Sequence, residues 1–498
     1  MKKIYKQILA AILFTAVILT LLVSCQTGNV TENNQKNTDD SIQAKPEQDE
    51  IQEAGEKQTT ERIAPDLPDV NYNGYKFNIL SAIDGEFHQD DFLAEDITGE
   101  IINDAKYARN MYVEEKYGVK LNLIILGEWS KGAAAIKKST SSGDYAYDTA
   151  VVWGYDACTL LTQSLLRDLN SLPPLDLSKP WWDQKANQDL SIKEKMFFTT
   201  GDISQIMSDS IFAILFNKQL AQDYGIENPY SLVKSGKWTY DKFAELSRLV
   251  SGDLNGDGKY GEDDLYGMLA TDDIMQCIIN SVGEKCARIN NSGEIELSLY
   301  NERTVSVFNK YMDFACDNTV VFSSQRVDDN AAIRVFEAGR GLFFPYGIKF
   351  VARFRSMETD FGILPFPKLD EQQNEYYSPI IVWWSMYHCV PVLQEDAERT
   401  AVILEALAAE SRYTVRPAYY DISLKTKHSR DDESSEMLDI IFSTRSYDYG
   451  WYYKFGNYDV GILDLYRKYN KDFTSMYEKS LPKAEKDINK INDLFSQL

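Results

Sequence analysis

Residues Asp253 to Asp264 read DLNGDGKYGEDD, the spacing D-x-[DN]-x-[DN]-G with an acid at the twelfth position. Calcium needs six or more oxygens, and a loop of this pattern gathers them from one short stretch of chain. Asp253, Asn255 and Asp257 offer side-chain oxygens from positions one, three and five, and the Lys259 carbonyl offers another from position seven. Gly258 makes the turn that brings them together. Asp264 stands where a glutamate is usual, so bidentate ligation from the last position is weakened. The expected chemistry is structural Ca2+ binding, with a polar Asx-turn loop without metal as the plain alternative. One such loop, without flanking helices, does not make a calcium switch. Gly256, Gly258 and Gly261 also satisfy G-x-G-x-x-G, but no strand precedes them and the acids between would repel a pyrophosphate.

Eight tryptophans and 31 tyrosines form the second signal. Sugar rings present apolar C–H faces that stack on aromatic rings, and their hydroxyls need planar polar partners. Trp153 and Asp156 combine the two within four residues. Trp181-Trp182-Asp183, Trp383-Trp384 and the run from Tyr447 to Trp451 are similar clusters. Most aromatic residues are core, so each is weighed against that use. If Trp383 and Trp384 lie on a strand, one of them must point inward.

Enzyme signatures are sparse. His88, His388 and His428 include no pair at metal-ligand spacing. Ser231/Lys234 and Ser480/Lys483 match S-x-x-K without the companion motifs, and G-x-S-x-G does not occur. A carboxylate pair for glycoside hydrolysis stays open among 76 acidic residues, because that pair is defined in space and not in sequence.

The elements that must position these residues alternate. Residues 75–80 read as a strand, 98–117 as a helix ending at Gly118, 119–126 as a strand and 129–140 as a helix. Then come a strand over 147–153 and a helix over 157–169. This pattern predicts a parallel sheet covered on both faces, with ligand beyond the carboxyl ends of its strands, where Trp153 falls. A second set begins with a strand over 211–216 and a helix over 238–250 capped by Thr239. Short strands follow at 341–345 and 361–365, and helices dominate after 394.

At the amino end Lys2, Lys3 and Lys6 precede the uncharged run Ile8–Val23, as in an export signal. As a helix that run would reach about 24 Å, short of the roughly 30 Å hydrocarbon core. Leu22-Val23-Ser24-Cys25 resembles the lipobox of bacterial lipoproteins, which implies lipidation at Cys25 after removal of residues 1–24. An ordinary signal peptide or an uncleaved anchor is the alternative. Residues 26–62 lack aromatic side chains and almost all apolar ones, so they are expected to be a disordered tether. Without the three signal lysines, 49 basic residues face 76 acidic ones, a net −27, which disfavours nucleic acid and anionic lipid as partners. Beyond Cys25 five cysteines remain, and buried free thiols are their expected state, with a local Cys277–Cys286 pair as the alternative.

Three segments carry a wider likeness. FNKQLAQDYGI (216–226), FEAGRGLFFPYG (336–347) and DFGILPFPKLDEQQNEYY (360–377) resemble the extracellular solute-binding proteins of bacterial ABC importers, and most closely the carbohydrate-binding branch that includes maltose-binding protein. The resemblance implies an α/β fold of two lobes, each a mostly parallel sheet flanked by helices, joined by three hinge crossovers. It places the crossovers near 207–213, 362–368 and 412–420. Lobe 1 is then 66–206 plus 369–415, and lobe 2 is 207–365 plus 416–498, with 25–65 as the lipidated tether. It further implies a monomer with no catalytic residues, held on the outer face of a Gram-positive-type membrane, passing an oligosaccharide to permease subunits. Tyr346 would occupy the position where that branch stacks a tryptophan, and Asp202 lies just before the first crossover. The expected ligand set is therefore Trp153, Asp156, Asp202, Tyr346, Trp383 and Trp451. A surface glycoside hydrolase or lyase, or a binder of peptide or another polar solute, is the competing reading.

Overall fold

Strands too apolar to face water on either side set the architecture. The structure, a computed structural model, describes residues 62–83, 90–428 and 431–497. The export signal, Cys25, the tether as far as residue 61, and His88 lie outside the described residues. The sheet strands are, in chain order, β1 (Tyr75–Ser81), β2 (Val119–Ile125), β3 (Thr149–Trp153), β4 (Phe198–Thr199), β5 (Phe212–Asn217), β6 (Ser251–Gly252), β7 (Leu265–Ala270), β8 (Val321–Ser323), β9 (Gly341–Gly347), β10 (Phe361–Leu364) and β11 (Met386–Cys389). Every residue of β3, β5, β7 and β9 is buried, as expected for strands covered on both faces.

The first sheet has the order β2-β1-β3-β11-β4, and the second has β8-β7-β9-β5-β10 with β6 beside β7. Both are mixed. β1 is parallel to β2 and β3, whereas β11 is antiparallel to β3 and β4. β7 is parallel to β8 and β9, whereas β5 is antiparallel to β9 and β10. The physical reason lies in how the odd strands are fed. β5 starts opposite Gly347, where β9 finishes, and β11 starts opposite Trp153, where β3 finishes. A strand reached by a crossover enters its sheet at the end that faces the other sheet, so it runs against its neighbours.

Helix α1 (Ile101–Tyr117) stops at Gly118, whose left-handed φ of 58° would strain any residue with a Cβ. Helix α2 (Gly132–Ser142) follows β2 after a short 3-10 turn. Helix α3 spans Gly154–Leu161, against the expected 157–169. It starts directly at the end of β3 and stops early, because Ser164 takes a positive φ and Leu166 bridges to Pro391. The chain passes between the sheets at 200–211, at 365–385 and within the stretch that begins at 412. Residues 63–498 form one compact unit. None of the described helices is long and apolar enough to cross a membrane.

The first crossover carries a short helix, α4 (Gln205–Asp209). Its first N–H groups are held from the first lobe: one Asp91 carboxylate oxygen accepts from Gln205 (2.7 Å) and Ile206 (3.3 Å). Ser204 Oγ accepts from Met207, which completes the cap. The third crossover includes a π-helix, Pro417–His428, packed on α1 and on the second-lobe segment Val351–Phe354. In the second lobe α5 (Tyr240–Ser247) has the expected Thr239 cap and α6 (Ile274–Asn280) follows β7; farther along the chain come α7 (Ala397–Ser411), in the first lobe, and α8 (Asp432–Ser443), in the second. Of these, α7 packs on α1 of the first lobe. The chain closes with α9 (Tyr458–Arg467) and α10 (Phe473–Gln497). The described cysteines, 158, 277, 286, 316 and 389, are all free thiols, so Cys277 and Cys286 do not pair.

Trp181 and Trp182 belong to the core. Both indole N–H groups donate to Glu405 of α7, at 2.9 and 2.8 Å, one on each carboxylate oxygen. Glu405 is 1% exposed, and burial pushes its carboxyl up to about 7 against the lowering effect of those donors. A carboxyl raised in the folded state binds more protons there than in the unfolded chain, so its contribution to stability falls as pH rises from about 4.5 to about 7. Glu405→Gln removes this dependence. Urea melts at pH 5 and pH 7.5 should show the wild-type advantage over the variant shrinking with rising pH, by up to roughly 3 kcal/mol. An equal difference at both pH values would refute this account.

Candidate functional site

The carboxyl end of β3 delivers Trp153 into a nest of aromatic rings. Its indole lies edge-on to Trp129 (centroids 4.3 Å apart) and to Tyr155 (4.4 Å), with Trp383 beyond at 6.3 Å. The Trp153 N–H donates to the Trp383 carbonyl at 3.1 Å. Helix α3 begins at the next residue, so Tyr155 projects beside Trp153 without any intervening loop. Gly154 is required at this junction: a Cβ there would sit 2.5 Å from the Tyr452 ring.

Lys454 lies over this platform, its ammonium 3.7 Å from the Tyr155 centroid and 5.6 Å from that of Trp153. Left-handed backbone at Lys454, Gly456 and Asn457 brings it there. The Tyr155 hydroxyl donates to Asp459 at 3.0 Å. Burial, and then the Asp459 charge, push the phenol far above its ordinary range, and burial also raises Asp459.

A second ring cluster forms at the carboxyl end of β9. Tyr346 stacks on Phe344 (4.7 Å, 14°) and meets Phe350 at 4.5 Å and Trp384 edge-on at 5.5 Å. Gly347 is again necessary, since a Cβ would lie 2.2 Å from the Trp384 ring. Trp383 and Trp384 fall in a turn and not on a strand, so the expectation of alternation does not apply; one ring joins the β3 cluster and the next joins the β9 cluster. That turn ties the two strand ends together.

Near the ends of β3 and β7 lie buried polar atoms that lack hydrogen-bond partners. They include both amide atoms of Gln276 on α6, Thr271 Oγ1 just past β7, the Trp383 N–H and one oxygen of Asp459. Gln276 lies beside the Tyr155 hydroxyl. Asp273, at the start of α6, is pushed up to about 7 by burial and by the carboxylates of Asp272 and Asp329. Asp272 is neutralised by Arg467, whose Nε donates to it at 2.7 Å. Buried polar groups are ordinarily paired. A group of them beside stacked rings suits a ligand that brings its own hydroxyls and apolar faces.

The other expected ligand residues lie elsewhere. Asp156 turns away and accepts the Ala133 N–H at 2.8 Å, holding the start of α2. Trp451 is 1% exposed and donates to Asn280 at 3.0 Å within the core. Asp202 is bound by Arg412 (3.0 Å) and Arg416 (3.3 Å) in the wall of a separate cavity. Tyr155, Gln276, Lys454 and Asp459 were not anticipated. Tyr155 alone carried a signal, its place two residues after Trp153; the other three reach the site only through tertiary packing.

The loop from Asp253 to Asp264 links β6 to β7. Asp253 accepts N–H groups from Gly256 (2.7 Å) and Gly258 (2.8 Å), and Asn255 and Asp257 accept from Asp257 and Lys259. Asp264, fully buried, ties the two ends by accepting from Leu254 and Gly261. Gly258 has the positive φ, 75°, that the turn demands. The oxygen donors and this turn fit Ca2+. The side chains face their own loop, and among the described residues no three His, Cys, Asp or Glu groups converge as they stand.

No protein-family model matches the chain, and the search of curated proteins returns no match. Solved structures do match in fold. An ABC substrate-binding protein from Listeria monocytogenes, in complex with cycloalternan, is 13% identical with a TM-score of 0.54, covering 84% of this chain and 99% of its own. UgpB from Mycobacterium tuberculosis, in complex with glycerophosphocholine, is 14% identical with a TM-score of 0.57, covering 82% and 99%. The galacto-N-biose/lacto-N-biose I-binding protein of the ABC transporter from Bifidobacterium longum, in complex with lacto-N-biose, is 11% identical with a TM-score of 0.55, covering 83% and 98%. The chain therefore has the two-lobed α/β fold of solute-binding proteins.

Gly154→Ala is expected to force the Tyr452 ring aside and cost about 1–3 kcal/mol by overpacking. Guanidinium melts monitored by circular dichroism would check it; a variant as stable as wild type would show that the junction yields freely.

Proposed function

We propose that this chain captures a carbohydrate, an oligosaccharide in our reading, between its two lobes and delivers it to the permease of an ABC importer. The observation that carries the reading is the set of unpartnered buried polar groups on Gln276, Thr271, Trp383 and Asp459 among the rings of Trp153, Tyr155 and Tyr346. A sugar supplies both what the rings and what the polar atoms lack. The shared fold, with several neighbours in complex with saccharides, supports it. The lobes close on ligand by bending at the crossovers. No bond is made or broken, and the protein acts as a monomer. The lipobox-like Cys25 and the polar segment after it support a lipid-tethered protein outside the cell membrane, where a tether of some tens of residues keeps it at high effective concentration near its permease.

Thermal unfolding with a panel of mono- and oligosaccharides tests the reading. A sugar at one hundred times its Kd should stabilise the protein by about 2.7 kcal/mol, and Trp153→Ala should abolish the shift. Reducing ends that accumulate with time would replace this reading with a glycoside hydrolase.

We infer further that Asp253, Asn255, Asp257, the Lys259 carbonyl and Asp264 hold Ca2+ in a bracing role. Chelation by EDTA should then lower the melting temperature, readdition of Ca2+ should restore it, and Asp253→Ala should be insensitive to both. An unchanged melt on chelation rejects calcium.

A further inference from the structure

Asp202 belongs to a cavity that the ligand site does not use. Its volume is about 540 Å3, within the range of small-molecule pockets, and its walls come from the first crossover, the third crossover and the carboxyl end of α8. Helix α4 separates it from the aromatic clusters. Gln205 and Ser208 face the cavity, while Ser210, at the end of the same helix, reaches the Trp384 carbonyl at 3.1 Å. The rings of Tyr419, Tyr420 and Phe442 supply an apolar lining.

The charges on Asp202, Arg416, Asp439 and Arg445 in this wall each have a partner within the protein. Asp202 is bound by Arg412 and Arg416, Asp439 by Tyr420 (2.7 Å) and Lys425 (2.6 Å), and Arg445 by Asp183 at 3.1 Å. Among the fully buried side-chain atoms of these wall residues, one acceptor and one donor stay unsatisfied. Gln205, 7% exposed, has no partner for Oε1, and Arg445 has none for its Nε–H. A neutral molecule that both donates and accepts, with an apolar face for the rings, matches this inventory. A strongly charged ligand would have to compete with these existing pairs.

We propose that this cavity is a second binding site, distinct from the interlobe site, for a neutral polyhydroxylated molecule of mono- or disaccharide size. One O–H donates to Gln205 Oε1, one hydroxyl oxygen accepts from Arg445 Nε–H, and the C–H face lies against the rings of Tyr420 and Phe442.

Equilibrium dialysis of the full chain against radiolabelled D-glucose tests it. The interlobe site is first disabled with Trp153→Ala and Trp383→Ala. That protein should still bind one equivalent of glucose, and adding Gln205→Met should weaken the binding at least tenfold. Ser443 is exposed at the cavity mouth, so Ser443→Trp should close the entrance with little demand on folding and should give the same loss. Circular dichroism melts confirm that each variant is folded. The proposal is overturned if the doubly disabled protein binds no glucose, or binds it equally well with Gln205→Met and Ser443→Trp in place. Neither result bears on capture at the interlobe site, which the saccharide melts with Trp153→Ala decide separately.

Discussion

A buried carboxylate sets the position of the hinge. Asp91 is shut off from water and spends one oxygen on the first two N–H groups of α4. Burial pushes its pKa up to about 6, opposed chiefly by Lys106. Beside it His388 on β11 has no hydrogen-bond partner on either ring nitrogen, and burial with Arg109 nearby pushes it down to about 3. Arg109 in turn donates to the Asp91 carbonyl at 2.7 Å and to Ser411 of α7 at 3.2 Å. Loop, β11, α1 and α7 thus converge on the helix that begins the first crossover. Because α4 is only five residues long, its direction depends on this cap more than on its own hydrogen bonds. The place of Ser210, and through it of the Trp384 carbonyl, follows from that direction.

Several buried acids are fully satisfied and tie the framework together. Asp448, fully enclosed, accepts from Asn280, the Cys286 N–H and the Gly450 N–H. Glu405 receives two indoles, and Asp183 receives Tyr447, Arg445 and the first N–H groups of its helix. These acids join distant segments and leave little for a ligand. Past the end of β7, the Thr271 hydroxyl and both Gln276 amide atoms have no such partner. An unmade buried hydrogen bond costs about 1–3 kcal/mol, so several together are tolerated where something else completes them.

Much of the framework was legible in the sequence, because continuous apolar runs and helix ends are local signals. β1, β2 and β5, α1 with its stop at Gly118 and α5 with its Thr239 cap all lie where the pattern puts them. The antiparallel entry of β5 and β11 was not legible, since it depends on which end of a sheet a crossover reaches. Composition found the aromatic residues of the site but could not sort them. Trp153 and Trp451 look alike in sequence, yet one ends a strand and the other donates to Asn280 inside the core. Asp156 stands near Trp153 in sequence, but helical geometry turns it toward the start of α2. Lys454 and Gln276 come from segments 122 or more residues away from Trp153, and no local pattern marks them.

The acidic loop and the unpartnered polar groups of Thr271 and Gln276 lie toward opposite ends of one strand. β7 runs six residues, roughly 20 Å, from the loop that ends at Asp264 to Ala270, directly before Thr271, Asp272 and Asp273. At its start Asp264 fixes the strand by accepting N–H groups from both sides of the loop, and Arg340 binds the same loop through the Glu262 carbonyl and Asp263, each at 3.0 Å. At its finish the strand hands directly to α6, which carries Gln276. A fully buried strand pinned at one end transmits little slack to the other. The loop thus helps hold β7 in register between β8 and β9, and with it the position of Thr271 and Gln276 at the far end.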